Sequence, residues 1–237
     1  MYKLSIVIPV HNEGSYITIT LERIAHHVSI DFECIIVMDS TSDTTIPFLE
    51  SFISKDGRFS YIINSISPGP AGAIKLGIAN ARGNMIAVVS GDGSDDVSQI
   101  ETLASLVERG VSVAVASRYM KGGQLVGAPV MKGLISRFAG LSLYYFAFLG
   151  TRDATNNFKI YSREFIDSVE IESNFGFEIG LELTTKAKLQ KRKIAEIATI
   201  WIERTEGESK FPLRKSLKYY LRWYVKAILR IKGFSDK

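Results

Sequence analysis

Short, almost unbroken apolar runs alternate with stretches of helical periodicity along the first half of the chain, and nothing else restricts the fold as much. SIVIPV (5–10), FECIIVM (32–38), YIIN (61–64), MIAVV (85–89) and VSVAVAS (111–117) read as strands. Residues 15–28, 44–54, 71–81 and 97–108 carry helical patterns between them. Strands that are apolar throughout, separated by helices, predict an α/β fold: a mostly parallel sheet with helices on both faces. In such sheets ligands bind beyond the carboxyl ends of the strands. The polar clusters fall there: His11-Asn12-Glu13, Asp39-Ser40-Thr41, Ser90 to Asp96, and Ser117-Arg118.

The second half changes character. Residues 128–150 are helical and aromatic-rich, RDATNNFKIY (152–161) reads as a turn entering a strand, and 177–189 are helical. IAEIATIWIE (194–203) reads as one further strand. No repeat, linker or break in composition divides the chain, so one domain with an elaborated second half is expected. The apolar fraction of 46% against 23% charged residues describes a globular protein and excludes a disordered one. A single cysteine, Cys34, excludes an internal disulfide framework and makes a reducing compartment the default. The start of the chain lacks a signal-peptide pattern, and no window reaches the roughly 20 apolar residues of a spanning helix. A cytoplasmic protein is expected.

The stretch SGDGSDD (90–96) sets three carboxylates at the exit of a core strand. One of Asp95 and Asp96 is expected to cap the helix that begins near Val97. Asp92 lies between two glycines that let backbone approach a ligand, and its carboxylate suits a hard cation, Mg²⁺ or Mn²⁺, shared with phosphate. SPGPAGAIKLGIANARG (67–83) is a glycine-rich helix entry without a Walker sequence. Turn chemistry accounts for it, but its helix N-terminus is also suited to an anion, which puts Lys75 among the donor-side candidates.

Taken together, IPVHNE, Asp39 followed by STSD, SGDGSDD and SRYMKGG occur in an order and spacing that resembles the GT-A nucleotide-sugar glycosyltransferases. Within them, the chain is similar to the group of dolichyl-phosphate mannosyltransferase and related polyprenyl-phosphate glycosyltransferases. SRFAG, RDATNNFKIY, GFEIGLEL and RTEGESKF extend the likeness over nearly the whole chain. The resemblance implies a GT-A domain over residues 1–210, with a nucleotide-sugar half (1–118) and an acceptor half (119–210), followed by an amphipathic helix (211–237). It implies that Pro9, His11, Glu13 and Asp39 line the nucleotide pocket and that Asp92 ends the Asp-x-Asp metal signature. Asp92, Arg118 and Arg204 become the catalytic candidates, while Arg137, Ser209 and Lys210 become the contacts to acceptor phosphate. Two acids of the pattern are replaced, by Met38 and Ser90. A metal at Asp92 would then draw on Ser90, Ser94 and Asp95, with Asp95 compensating for Ser90. His26 and His27 receive no role.

Clustered arginines suit a nucleoside diphosphate meeting a lipid phosphate, because the guanidinium fork binds phosphate oxygens in pairs. A phosphate acceptor needs no general base. A hydroxyl acceptor does, and Asp153, Glu178 and Glu182 are the candidates. In the tail, Arg214, Lys218, Arg222, Lys226 and Arg230 recur every fourth residue, opposite Leu213, Leu217, Tyr220, Leu221, Tyr224 and Ile228. Such a helix either docks on the domain with its charges in water or lies in a membrane interface, and a lipid acceptor favours the interface. Nucleic acid is disfavoured, since no recognition module accompanies the charge.

The expected protein is thus an inverting glycosyltransferase. It moves a hexose from a GDP- or UDP-linked donor to a polyprenyl phosphate, peripherally on the cytoplasmic membrane face. A transferase acting on a hydroxyl of a glycan or glycolipid is the alternative, kept open by Asn156-Asn157 where the family has Ser-Gly. A nucleotide-sugar binding protein without turnover is the third reading, motivated by Met38 and Ser90.

Overall fold

The computed structural model describes residues 2–203 and 213–229. A seven-stranded sheet in the order β3-β2-β1-β4-β7-β5-β8 forms the centre. Its strands are β1 (Leu4–Val10), β2 (Phe32–Met38), β3 (Phe59–Ile63), β4 (Met85–Val88), β5 (Val113–Ser117), β7 (Lys159–Ser162) and β8 (Ile194–Ala198). β7 alone is antiparallel, wedged between β4 and β5. The parallel strands therefore bring Val10, Met38, Val89 and Ser117 to one rim, as the expected α/β fold requires.

Alternation along each strand feeds two cores. Ile6, Ile8, Cys34 and Ile36 pack with Ile17 and Leu21 of α1 (Tyr16–His27) and Leu103 of α4 (Ile100–Glu108). Val7, Val37 and Val88 face the other way, onto Ile74 of α3 (Pro70–Asn80) and Leu183 of α7 (Ile179–Leu189). Each such fully buried aliphatic side chain contributes about 1.5–3 kcal/mol. Gly77 lets α3 lie close on β1, since a Cβ there would fall against Val7. α2 (Ile46–Ile53) follows β2, and Leu49 joins the first core.

A third cluster joins α5 (Val130–Phe146), α7 and α8 (Leu213–Leu229) through Leu143, Ala147, Leu181, Trp223 and Ala227. The terminal helix is thus docked on the domain. Its two expected faces are also rearranged. Tyr220, Tyr224 and Ile228 pack inward, while Leu217 and Leu221 of the same row are exposed. Arg222 and Lys226, expected in an outward ridge, both reach Glu172. Of the expected helix over 211–237, residues 211–212 and 230–237, Arg230 among them, lie outside the described residues.

The segment 194–203 is two strands. After β8 the chain turns at Thr199, whose N–H donates to Ser117 O, and β9 (Ile200–Ile202) pairs with β6 (Gln124–Val126) in a separate two-stranded sheet. β6 spans three residues and α6 (Arg163–Asp167) five, too short for either period to register in the sequence.

Candidate active site

The rim is stitched together by acidic side chains that accept backbone N–H groups. Asn12, with φ near +54°, opens the loop after β1, and its N–H donates to Asp43 Oδ2 at 2.9 Å. Glu13 N–H donates to Thr45 Oγ1, and Thr44 N–H donates back to Asn12 Oδ1. The His11–Glu13 loop is thereby fixed to the loop that follows Asp39. Asp39 accepts from Asn64 Nδ2 through one oxygen and from Gly69 N–H through the other, both at 2.7 Å. It ties the exits of β2 and β3 to the start of α3. Pro9 lies within β1, opposite Val37.

The turn after β4 is built on Asp92 and Asp95. Asp92 Oδ1 accepts from Ser94 N–H at 3.1 Å and from Ser94 Oγ at 2.6 Å. Gly93 carries a φ of +75°, a conformation open to glycine. Gly91 packs so closely that a Cβ would meet Val10. Asp95 is buried and accepts Ser90 N–H through Oδ2 at 2.9 Å. Burial raises its pKa, to about 6; the Ser90 N–H opposes the shift, and the charge of Asp92 adds to it. Asp96 is the cap, accepting from Ser98 N–H at the 3₁₀ turn 97–99 that leads into α4.

At the exit of β5, Arg118 forms a buried bidentate pair with Asp153. Nε donates to Oδ2 at 2.7 Å, Nη2 to Oδ1 at 2.9 Å, and the Arg118 main-chain N–H also reaches Oδ2. Burial works against the Asp153 charge, but Arg118 outweighs it and holds the carboxyl below the usual range. Burial likewise opposes the guanidinium, and Asp153 keeps Arg118 firmly charged. Arg118 Nη2 extends to Ser136 Oγ on α5, which pairs with Thr155 Oγ1. The charges of Arg118 and Asp95 act on each other, so the exits of β4 and β5 form one electrostatic site.

Several expectations need correcting. Asp153 is the anchor of Arg118, with both oxygens engaged, and is not presented to an acceptor hydroxyl. Glu178 is buried and accepts from Phe175 N–H and Gly176 N–H. Glu182 is fully buried, accepts from Glu172 N–H and Ser173 N–H, and pairs with Lys186. Both carboxylates hold the loop ahead of α7, so neither is the solvated helix pair nor an available base. Lys75 Nζ donates to Asn174 Oδ1 at 2.6 Å in that same loop. Ser94, expected as a ligand, gives its hydroxyl hydrogen to Asp92. Asn156 and Asn157 brace Ala116 O and Phe177 O, which is scaffolding work. Arg137 is exposed on α5, near enough to Tyr119 to act on its hydroxyl. Arg204, Ser209 and Lys210 lie outside the described residues.

Two residues at the site carried no signal in the sequence. Lys159 is buried behind Asp153, and its Nζ donates to Ala154 O and Asn156 O. Burial brings its pKa down to about 7, with Asp153 opposing. Glu203 follows β9, whose Ile202 N–H donates to Ser94 O; Glu203 Oε2 is buried with no hydrogen-bond partner. Each is a lone charge in an apolar pattern, which reads as surface until the chain is folded.

A divalent cation fits this turn by chemistry. Its donors are carboxylate and hydroxyl oxygens only, and the strained ionisation of Asp95 beside Asp92 is what a cation relieves. Among the described residues no three acidic, histidine or cysteine side chains converge on one point, so such an ion would complete its shell with phosphate oxygens or water.

A mostly parallel sheet with acids and arginines gathered at its carboxyl rim is the arrangement of a GT-A glycosyltransferase. The chain belongs to glycosyl transferase family 2, whose model matches residues 5–169. It is 26% identical over 238 residues to the dolichol-phosphate mannosyltransferase of Pyrococcus furiosus, covering 99% of this chain and 66% of that protein. The polyprenol monophosphomannose synthase of Mycolicibacterium smegmatis is 23% identical over 94% of this chain and 88% of its own length. In fold, the chain matches glucosyl-3-phosphoglycerate synthase of Mycobacterium tuberculosis, solved with Mn²⁺, UDP and its product, at a TM-score of 0.68 and 16% identity over 98% of this chain and 82% of that one. The reading without turnover falls with the family assignment: the protein is a glycosyltransferase.

Proposed function

We propose that the protein transfers a hexose from a nucleoside diphosphate sugar to a polyprenyl phosphate, with inversion at the anomeric carbon. An acceptor phosphate oxygen forms the new bond to C1 as the bond from C1 to the donor diphosphate breaks on the opposite face. The observation that favours a phosphate acceptor is that the three carboxylates expected to serve a hydroxyl, Asp153, Glu178 and Glu182, are committed to internal donors. A hydroxyl acceptor needs a free carboxylate in reach; a phosphate arrives already ionised. The relatives' names point to the same acceptor class.

His11, Glu13 and Asp39 would line the nucleotide side, at the exits of β1 and β2. Arg118, fixed by Asp153, presents a permanent positive charge where two phosphates meet, and Arg137 adds a second charge on α5. Arg204, Ser209 and Lys210 complete that set in this reading. Asp92 and Asp95, with Ser90, would hold a Mg²⁺ or Mn²⁺ ion, whose chemistry is to neutralise charge on the departing diphosphate. The protein would work peripherally at the cytoplasmic membrane face, with nucleic acid playing no part.

A panel of GDP- and UDP-linked hexoses, each crossed with polyprenyl phosphate and Mn²⁺, tests the reading. The expected product is label that enters the organic phase as an acid-labile phosphodiester, lost in Asp92→Ala. Label that stays aqueous with every donor, or transfers only to a glycan hydroxyl, overturns it.

A further inference from the structure

We propose that α5 is the element that enters the lipid surface, through an outward apolar stripe that the tail helix does not supply. This inference rests on the reading that the acceptor is held in a membrane. Besides packing Leu143 inward into the third cluster, α5 turns large apolar side chains outward. Its inner face carries the polar contacts: Ser136 to Arg118 and Thr155, and Ser142 to Tyr224 on α8. Its outer face carries Met131 (68% exposed), Leu134 (58%), Phe138 (73%) and Tyr145 (61%), which follow one another at spacings of three, four and seven. Water is a poor solvent for such a stripe, and a contiguous exposed apolar face marks an interaction surface.

Charge selects the occupant. Neither VMKGLISRFAGLSLYYF nor its packed neighbour LRKSLKYYLRWYVKAIL contains an Asp or Glu, whereas the first carries two Lys or Arg residues and the second five, of which Arg222 and Lys226 are paired with Glu172. Acid-free, basic and apolar together match an anionic bilayer surface, where aliphatic and aromatic groups enter the acyl boundary and cations remain among the headgroups. Among the described residues no helix is long and apolar enough to cross a membrane, so α5 would lie in the interface. The geometry also serves the reaction. One helix would sit in the lipid while its opposite face contacts Arg118, so a lipid phosphate need travel only the width of that helix to reach the guanidinium.

The test uses the full chain with phosphatidylglycerol-rich vesicles, and pure phosphatidylcholine vesicles as control. Phe138→Trp is expected to shift its emission to the blue and to be quenched by brominated acyl chains, in the anionic vesicles only. Met131→Ser with Phe138→Ser is expected to weaken co-sedimentation by about tenfold or more, from the apolar area withdrawn, while the circular dichroism and melting of the protein stay as in the parent. Unchanged partition of that double variant, or no quenching at position 138, overturns the proposal. So does a dimer in light scattering that the same substitutions dissociate, since a second copy would then cover the stripe. Transfer to a detergent-solubilised short-chain isoprenyl phosphate separates the two readings: its absence with vesicle insertion intact would sink the acceptor assignment and leave α5 standing.

Discussion

Asp153→Asn separates an anchor from a base. In the parent, Asp153 is 0% exposed and receives the Arg118 main-chain N–H, Nε and Nη2, while the buried Lys159 ammonium lies close enough to feel its charge. The amide keeps the shape and one acceptor oxygen but removes the carboxylate that is hydrogen-bonded to Arg118 and whose charge buried Lys159 feels. Leaving one partner of a buried pair uncompensated costs about 3–5 kcal/mol, and the retained oxygen places the expected loss near about 3 kcal/mol. For a chain of this size that is a fall in melting temperature of roughly 6–12 °C. The loss has a defined pH window. Because the folded pKa of Asp153 is depressed, its contribution is fully present above the unfolded carboxylate value and vanishes as pH falls through the folded one. The Asp153 part of the difference between parent and variant is therefore present at neutral pH and closes only in acid, and a second change accompanies the titration of Lys159 at a pH of about 7, whose charge Asp153 supports. Scanning calorimetry at several pH values measures it, and transfer to polyprenyl phosphate reports Arg118. A variant that melts within about 1 kcal/mol of the parent while losing transfer would show that Asp153 takes part in the chemistry, and the anchor argument would fail.

Other outcomes follow from the same contacts. Asp95 has a raised folded pKa, so its ionisation works against the fold: stability is greatest below the unfolded carboxylate value and declines as pH rises through about 6. Asp95→Asn should flatten that decline in urea titrations, and Mn²⁺ affinity, read by electron paramagnetic resonance, should fall in the parent as pH drops through about 6. Gly140→Ala drives a Cβ against the Arg152 carbonyl oxygen, well inside contact distance. It should cost about 1–3 kcal/mol by displacing α5, visible in chemical denaturation. Glu172→Gln frees Arg222, Lys226 and Lys186 from a shared, partly exposed carboxylate. A loss of about 1 kcal/mol is expected, with faster hydrogen exchange confined to α8 and a difference that shrinks in high salt.

The sheet was legible because its strands are apolar on both faces, a pattern that parallel strands require and few other elements tolerate. Its rim followed from the same alternation, since the polar clusters could lie only at strand exits. β6, of three residues, and α6, of five, escaped, since neither is long or apolar enough to show a period. The tail shows a different limit. A basic residue every fourth position reads as a solvated or lipid-facing ridge, yet Glu172, about fifty positions away in sequence, pairs with two of those charges, exposed Arg222 and largely covered Lys226. Aromatic Tyr220 and Trp223 then win the buried face from Leu217 and Leu221, because large rings fill the gap against Leu143 and Leu181 better than single aliphatic chains. Helical period is local information; which face is buried is decided by partners that periodicity does not contain.

The same distinction explains why the acids of the site could be counted from the sequence but not assigned. Asp39 and Asp153 accept through both oxygens, as do Glu178 and Glu182, and the donors are mostly backbone N–H groups of loops that would otherwise leave them unpaired. An acid used in this way has its oxygens already engaged and is not presented to a substrate. Asp92 differs: both of its bonds fall on Oδ1, from Ser94, and Oδ2 takes no bond from a described residue. Ser90 bears on the same point. Its backbone N–H donates to Asp95, a second acid that is buried beside Asp92. Negative charge at this rim is thus concentrated on one outward oxygen and backed by a buried, reluctantly ionised neighbour. In the proposed function, such an arrangement would attract a cation more strongly as the donor's phosphates arrive to share it, which would couple donor and metal binding in a way that a pair of exposed acids would not.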